Sequence, residues 1–308
     1  MKVSILNSYY NRGGAAIAAR RHFESIKHIK ELNVQMLVNK DAPNLEDVKA
    51  LHKNKLSKLL YLYHREQNLK YIKPYHLRNK NSFDVPFNSS NISNHQVVRS
   101  ADIVHLHWIN DAFISLSELE KLGRKNRPIF WTLHDMWPFT GGCHYSENCL
   151  NYKSSCGKCP ILNSKEEIDL SNLIFKEKRE VFKRLNIIII GLSKWIYNES
   201  KSSTLFADKP HYNIPNPINT EIFKPIEFEP LNDRPLKVLF GGLNAIQDPR
   251  KGFKYLLTAL EKLKAQNENM ELISFGDESE AEDIRKLPFK THFTGSISGD
   301  SNLSRVYN

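Results

Sequence analysis

Long apolar runs are missing from this chain of 308 residues. The longest clean one is Ile187–Ile190, far short of the roughly 20 residues a membrane-spanning helix needs. It reads as a buried strand instead. A secretory leader is not evident either, because Asn7–Arg12 interrupt the first apolar stretch almost at once. Cysteine is scarce: four residues, all between Cys143 and Cys159. Internal repeats are absent, and no nucleic-acid-binding motif accompanies the net charge of +10. These absences disfavour a membrane-spanning, secreted or nucleic-acid-binding protein. They leave a folded cytoplasmic chain with reduced cysteines as the expectation.

What is present fits that class. Hydrophobic residues make up 40% and charged residues 25%, as in soluble globular domains. The positive charge favours an anionic partner such as a phosphorylated small molecule or an anionic lipid. It is densest in "KNKLSKLLYLYHREQNLKYIKPYHLRNK" (Lys53–Lys80), where Lys and Arg alternate with Leu and Tyr. This segment reads as a surface helix with a solvated basic face or as a peripheral contact on the inner face of the cell membrane.

Apolar runs alternate with helix-like stretches. Strands are expected at Val3–Asn7, Val34–Val38, Ile103–Trp108, Ile129–Leu133, Ile187–Leu192, Lys237–Gly241 and Glu271–Phe275. Helices are expected at Ala15–Ile29, Leu116–Lys125, Ile168–Leu185, Lys194–Ser203 and Phe253–Gln266. The rhythm predicts an α/β fold with parallel sheets. Prolines at 215, 217, 225, 230 and 235 break it, since proline cannot supply the N–H of a central strand or helix. The expected division is a Rossmann-like domain over 1–220 with a cysteine-rich insertion at 143–160, a linker over 221–235, and a partial second domain over 236–308. That second domain holds fewer strand–helix units than a doubly wound sheet needs.

The chemistry is expected at strand ends. Gly13-Gly14 sit where the first strand's loop becomes a helix, and a glycine-rich helix start can receive an anion or a sugar hydroxyl. His105 and His107 share one face of "ADIVHLHWIN", and His134-Asp135 fall where the next strand should end. Ligands in open α/β sheets bind beyond the carboxyl ends of the strands. A histidine there can hydrogen-bond a sugar hydroxyl or move a proton; the plain alternative is a packed or capping histidine. "VLFGGLNAIQDPRKGF" repeats the design, with Arg250-Lys251-Gly252 at a helix start where a cation can neutralise a diphosphate. Gly276 ends another strand that could border a nucleotide.

Cys143, Cys149, Cys156 and Cys159 include one C-x-x-C pair. Four cysteines so close together suit a structural tetrahedral zinc, with His144 as a substitute ligand. Two disulfides or four free thiols are the competing readings.

With these residues in view, the sequence resembles retaining glycosyltransferases of the GT-B fold, specifically glycosyltransferase family 4. It is nearest the bacterial exopolysaccharide and colanic-acid-type group. The resemblance is carried by "NRGGAA", "ADIVHLHWIN", "TLHDMWPFTGGCHY", "GLSKW", "IPNPINTEIFKP" and "FGGLNAIQDPRKGF", in the family's order from residue 3 to about 260. It implies two Rossmann-like domains, a nucleotide-sugar donor, a glycan or lipid-linked acceptor, and no catalytic metal. Gly13 and Gly14 match the loop near donor phosphate and acceptor. His134 matches the histidine that bonds the donor sugar, and Lys251 the cation on the leaving diphosphate, with Arg250 standing in for the family's arginine. Asn216 lies in the hinge motif, followed by Pro217 where the family usually has glycine. The family's late Glu-x7-Glu pattern has no counterpart, so the chain as given is expected to be cut short, with little or no transferase activity. The alternatives are a non-catalytic glycan-binding module or a zinc-stabilised interaction protein.

Overall fold

The computed structural model describes residues 1–77, 82–226, 235–266, 269–276 and 281–308. Within these the chain forms two compact units, Met1–Pro217 and Ile218–Asn308.

The first unit is a parallel sheet of seven strands. In chain order its elements are β1 (Lys2–Asn7), α1 (Gly14–Ile26), β2 (Asn33–Val38), β3 (Val48–Ala50), α2 (Lys55–Ile72), α3 (Gln96–Arg99), β4 (Ile103–Leu106), α4 (Leu116–Leu122), β5 (Ile129–Leu133), α5 (Leu170–Lys183), β6 (Ile187–Gly191), α6 (Lys194–Ser202) and β7 (His211–Asn213). The strand order is β3-β2-β1-β4-β5-β6-β7. The order therefore reverses between β1 and β4, which pair with Leu6 opposite Leu106. That reversal opens a crevice at the carboxyl ends of the two strands.

Both faces of the sheet are covered, which explains the unbroken apolar runs. Along β1, Leu6 joins a core with Trp131, Phe182 and Phe206. Its neighbour Ile5 points to the opposite core, with Met36, Ala19 and Phe23. Alternating sides follow from the period of two along a strand. Helix starts carry local caps: Asn54 and Ser57 form a reciprocal capping box on α2, and the Asp169 carboxylate accepts from the Asn172 N–H on α5. Helix α1 instead begins after Gly13, whose φ of +83° is one that only glycine adopts without strain.

The second unit contains β8 (Leu236–Gly242), α7 (Phe253–Ala265), β9 (Met270–Gly276), α8 (Ala281–Arg285), β10 (Lys290–Phe293) and α9 (Asp300–Tyr307). Its three strands are parallel in the order β10-β9-β8. Leu260, Met270 and Leu272 form its buried core.

Several expectations are corrected. The strand expected to reach Trp108 ends at Leu106, because His107 and Trp108 turn into the loop that builds the crevice. The helix expected over Leu116–Lys125 stops at Leu122, and Lys125 takes a left-handed conformation. Residues 218–226, expected to divide between the end of the first domain and a linker, pack with the second unit. There Ile222 O accepts from Ser304 Oγ at 2.7 Å, and Ile226 N donates to Asn308 Oδ1 at 3.2 Å. The rest of the expected linker, 227–234 with Pro230, lies outside the described residues. So do Arg78–Lys80 of the basic segment and Asp277-Glu278 after β9.

Candidate functional site

The loops after β1, β4 and β5 knit together at the strand reversal. Asn7, the last residue of β1, accepts the Trp108 N–H through Oδ1 at 2.8 Å. Ser8 Oγ donates to the carbonyls of Trp108 and Asn110, at 3.0 and 2.7 Å. Tyr9 stacks on Trp108 with ring centroids 5.7 Å apart. The Trp108 indole N–H then donates to Asp135 Oδ2 at 3.0 Å, tying the β4 loop to the end of β5.

Four histidines lie along this seam. Nδ1 of His22, on α1, is 3.1 Å from Nε2 of His107. Nδ1 of His107 is 2.9 Å from Nε2 of His134. His105 stacks on His107 and bonds Thr132 Oγ1 at 2.8 Å. Burial holds His22, His105 and His107 below the ordinary imidazole range. His134 is pushed down to about 4 by burial, with Asp135 offsetting part of the effect. All four are therefore neutral near pH 7. Nδ1 of His134 has no hydrogen-bond partner among the described residues. The neutral ring nitrogens of His22, His105 and His107 lie within 4.8 Å of one another, a donor set that could hold a transition-metal ion.

Asp135 is fully engaged by protein. Beyond the Trp108 indole it accepts from the Trp137 N–H at 2.9 Å and faces His144 Nδ1 at 2.7 Å. His144 also faces Asp84 through Nε2 at 3.1 Å. Burial alone would lower the His144 imidazole, but the two carboxylates overrule it and push it up to about 10. Burial would likewise raise Asp135, yet the His144 charge and the surrounding N–H donors hold it below the usual carboxylate range. The two form a buried ion pair, so His144 is not a substitute metal ligand. Asp135 positions the loop rather than offering free oxygens to a ligand.

The other expected residues fall into three places. Gly13 and Gly14 begin α1, and a Cβ added at either would meet nothing within 4 Å, so their backbone is open to an approaching group. Asn216 is exposed in the chain after β7. In the second unit, Arg250 and Lys251 are exposed in the turn before α7. The Arg250 guanidinium is held by Asp248 in a two-pronged contact at 2.9 and 2.6 Å. Gly276 ends β9 with φ +156°.

The four cysteines are free thiols, which removes the disulfide reading. All four line one void of about 10 Å³, room for a single ion or water. Burial raises Cys143 and Cys159 and pushes Cys156 up to about 12. They suit zinc in donor type and in room. Their spacing is looser than a closed site, because the only group of three with ligand atoms within 4.8 Å among the described residues is the histidine trio.

Two features lay beyond the sequence reading. Asp111, at φ +59°, receives the Tyr9 hydroxyl, the Tyr61 hydroxyl at 2.6 Å and Arg65 Nε at 2.9 Å, locking α2 to the crevice loops. Lys178 is fully buried on α5, donating to the carbonyls of Trp137 and Thr140. No local motif announces either one; a lone lysine on the apolar stripe of α5 was the one available sign.

No protein-family model matches the chain. Over 92 residues it is 32% identical to the putative colanic acid biosynthesis glycosyl transferase WcaC of Escherichia coli, a stretch covering 29% of this chain and 23% of that protein. Among solved structures, HepE (Alr3699) of Anabaena, determined with UDP and glucose, overlays 97% of this chain and 70% of its own at a TM-score of 0.54 and 14% identity. MnaA of S. aureus, determined with UDP, overlays all of this chain and 70% of its own at a TM-score of 0.48 and 11% identity. The fold is α/β and GT-B-like, built from Rossmann-like units.

Proposed function

We propose that this protein is a glycosyltransferase of surface-polysaccharide synthesis that takes a sugar from a nucleotide-sugar donor, with UDP as the base carrier. The observation that carries the proposal is the His107–His134 contact at the strand reversal, which leaves Nδ1 of His134 for a ligand. The partial relationship to WcaC supports the reaction class, and the UDP and glucose bound by the HepE structure motivate the donor.

In this reading transfer proceeds with retention at the anomeric carbon. His134 hydrogen-bonds the donor sugar through Nδ1, and His107 fixes its ring. Gly13 and Gly14 let phosphate or acceptor approach the backbone at the α1 start, where unpaired N–H groups and the helix dipole favour negative charge. Lys251, with Arg250, neutralises the diphosphate as it leaves, the charge stabilisation that dominates such catalysis. Asn216 and Gly276 contribute polar backbone and side-chain contacts to donor or acceptor. The acceptor is a glycan or lipid-linked saccharide. The cysteine void holds a structural zinc, which would brace the loop following β5 and take no part in transfer.

Calorimetric titration with UDP-glucose, UDP-N-acetylglucosamine and GDP-mannose tests the reading. Saturable binding of a UDP-sugar is expected, weakened about tenfold or more by Lys251→Ala, in line with loss of a charge-assisted contact of about 1.5–3 kcal/mol. A protein indifferent to every nucleotide sugar would refute it.

A further inference from the structure

Helix α2 carries two apolar faces, and only one of them is used. Tyr61, Asn68 and Ile72 are buried, spaced at multiples of the helical turn. They fasten the helix to the domain through Asp111, the Asn88 backbone and the core under Val85. On the opposite side Leu56, Leu59, Leu60 and Tyr63 follow the i, i+3, i+4, i+7 rule of a packed stripe. They are nevertheless 78, 61, 47 and 58% exposed. A contiguous stripe of this kind on a folded domain marks an interaction surface.

The charges around the stripe select its partner. Within α2 stand Lys55, Lys58, Arg65 and Lys70 against the single acid Glu66, and Lys53 and Lys73 flank it. Arg65 is held by the largely buried Asp111 at 2.9 Å; the other acidic contacts are exposed pairs, Lys58 with Asp41 at 3.3 Å and Lys73 with Glu66 at 2.9 Å, which bind weakly in water. Two copies docked through this face would bring the same lysines together, because a two-fold interface sets a patch against itself. A surface that is apolar at its centre and negative at its rim suits it instead. No helix among the described residues is long and apolar enough to cross a membrane, so α2 would lie in the plane of the lipid head groups. Apolar side chains at the head-group boundary, tyrosine at the interface and lysines among anionic head groups are the anatomy of such a helix.

We propose that α2 is a membrane-docking helix that seats the protein on an anionic lipid bilayer through Leu56, Leu59, Leu60 and Tyr63, with Lys55 and Lys70 on the head groups. The full chain should co-sediment with phosphatidylcholine vesicles containing phosphatidylglycerol and much less with phosphatidylcholine alone, the difference shrinking as salt rises. The triple variant L56S/L59S/Y63S should bind at least tenfold more weakly with an unchanged melting temperature, since all three side chains already face water. Lys55→Gln and Lys70→Gln should each cost about fivefold at low salt, the worth of one lysine near an anionic surface. These variants leave His134 and Lys251 untouched, so nucleotide-sugar binding should survive them and the two properties are separable. Failure to bind anionic vesicles, or binding unaffected by the triple variant, would overturn the proposal. So would light scattering that finds a dimer which the triple variant dissociates.

Discussion

Nδ1 of His107 lies 2.9 Å from Nε2 of His134, while Nε2 of His107 lies 3.1 Å from Nδ1 of His22. A neutral imidazole has one N–H and one lone pair, so His107 donates to one neighbour and accepts from the other. The three tautomers are thereby coupled. If His107 donates to His134, the His134 proton sits on Nδ1 and faces the ligand as a donor. In the reverse arrangement His134 Nδ1 faces the ligand as an acceptor. Under the proposed function, His107 is thus a positioning residue for His134. His107→Phe should weaken UDP-sugar binding by about tenfold, and His107→Asn should recover part of it. Calorimetry on both variants checks this; a Phe variant that binds normally would show that the chain is only packing.

The burial that keeps these rings neutral also sets a pH response. His134 titrates at about 4, below the working range. Ligand affinity should therefore be flat between about pH 6 and 9, rather than rising or falling around the ordinary histidine value near 6.5. Titrations across that range test it. A tenfold change centred near pH 6.5 would mean that one of the histidines is solvated and ionising.

The Asp135–His144 pair predicts a slope in stability. His144 is pushed up from 6.5 to about 10 in the fold. A group raised above its unfolded value gives its full stabilisation below pH 6.5 and loses it as pH climbs through 10. The melting temperature of the native protein minus that of His144→Gln should be largest near pH 6 and shrink toward pH 10. A constant difference would contradict the ion pair.

Lys178 predicts the opposite slope. Burial pushes its ammonium down to about 7, whereas an unfolded lysine stays charged to about 10.4. Its contribution therefore improves as pH rises from 7 toward 10. Lys178→Met leaves the Trp137 and Thr140 carbonyls without their donor, a cost of about 1–3 kcal/mol. The deficit in urea unfolding should be greater at pH 9 than at pH 6.

The cysteine void is settled by elemental analysis of purified protein. A structural zinc predicts about one equivalent retained through dialysis, and a lower melting temperature after chelation. Metal-free protein whose four thiols all react once unfolded would contradict it.

Much of this architecture could be read from residue order. Val3–Leu6, Ile129–Leu133 and Ile187–Ile190 are apolar runs, which is what a sheet covered on both faces demands. The short edge strands β3, β7 and β10 escaped, because Val48–Ala50, His211–Asn213 and Lys290–Phe293 carry no run of apolar residues. Within the site, His107 and His134 stood out by lying at strand ends. His22 did not, since eight residues into a helix a histidine looks like surface; only its packing against β4 reveals it. Asp135 looked like a ligand contact for the same reason His134 did. Its partners Trp108 and His144 come from separate loops, and local sequence does not announce such a convergence. Asp111 has the same origin, its three donors arriving from the β1 loop and from α2.

Proton-detected NMR of the histidine side chains during titration with UDP-glucose shows whether the donor sugar sits on His134. The His134 and His107 imidazole signals are expected to shift together and to saturate with the concentration dependence seen by calorimetry. UDP-glucose that binds while leaving both rings unmoved would place the sugar elsewhere and contradict it.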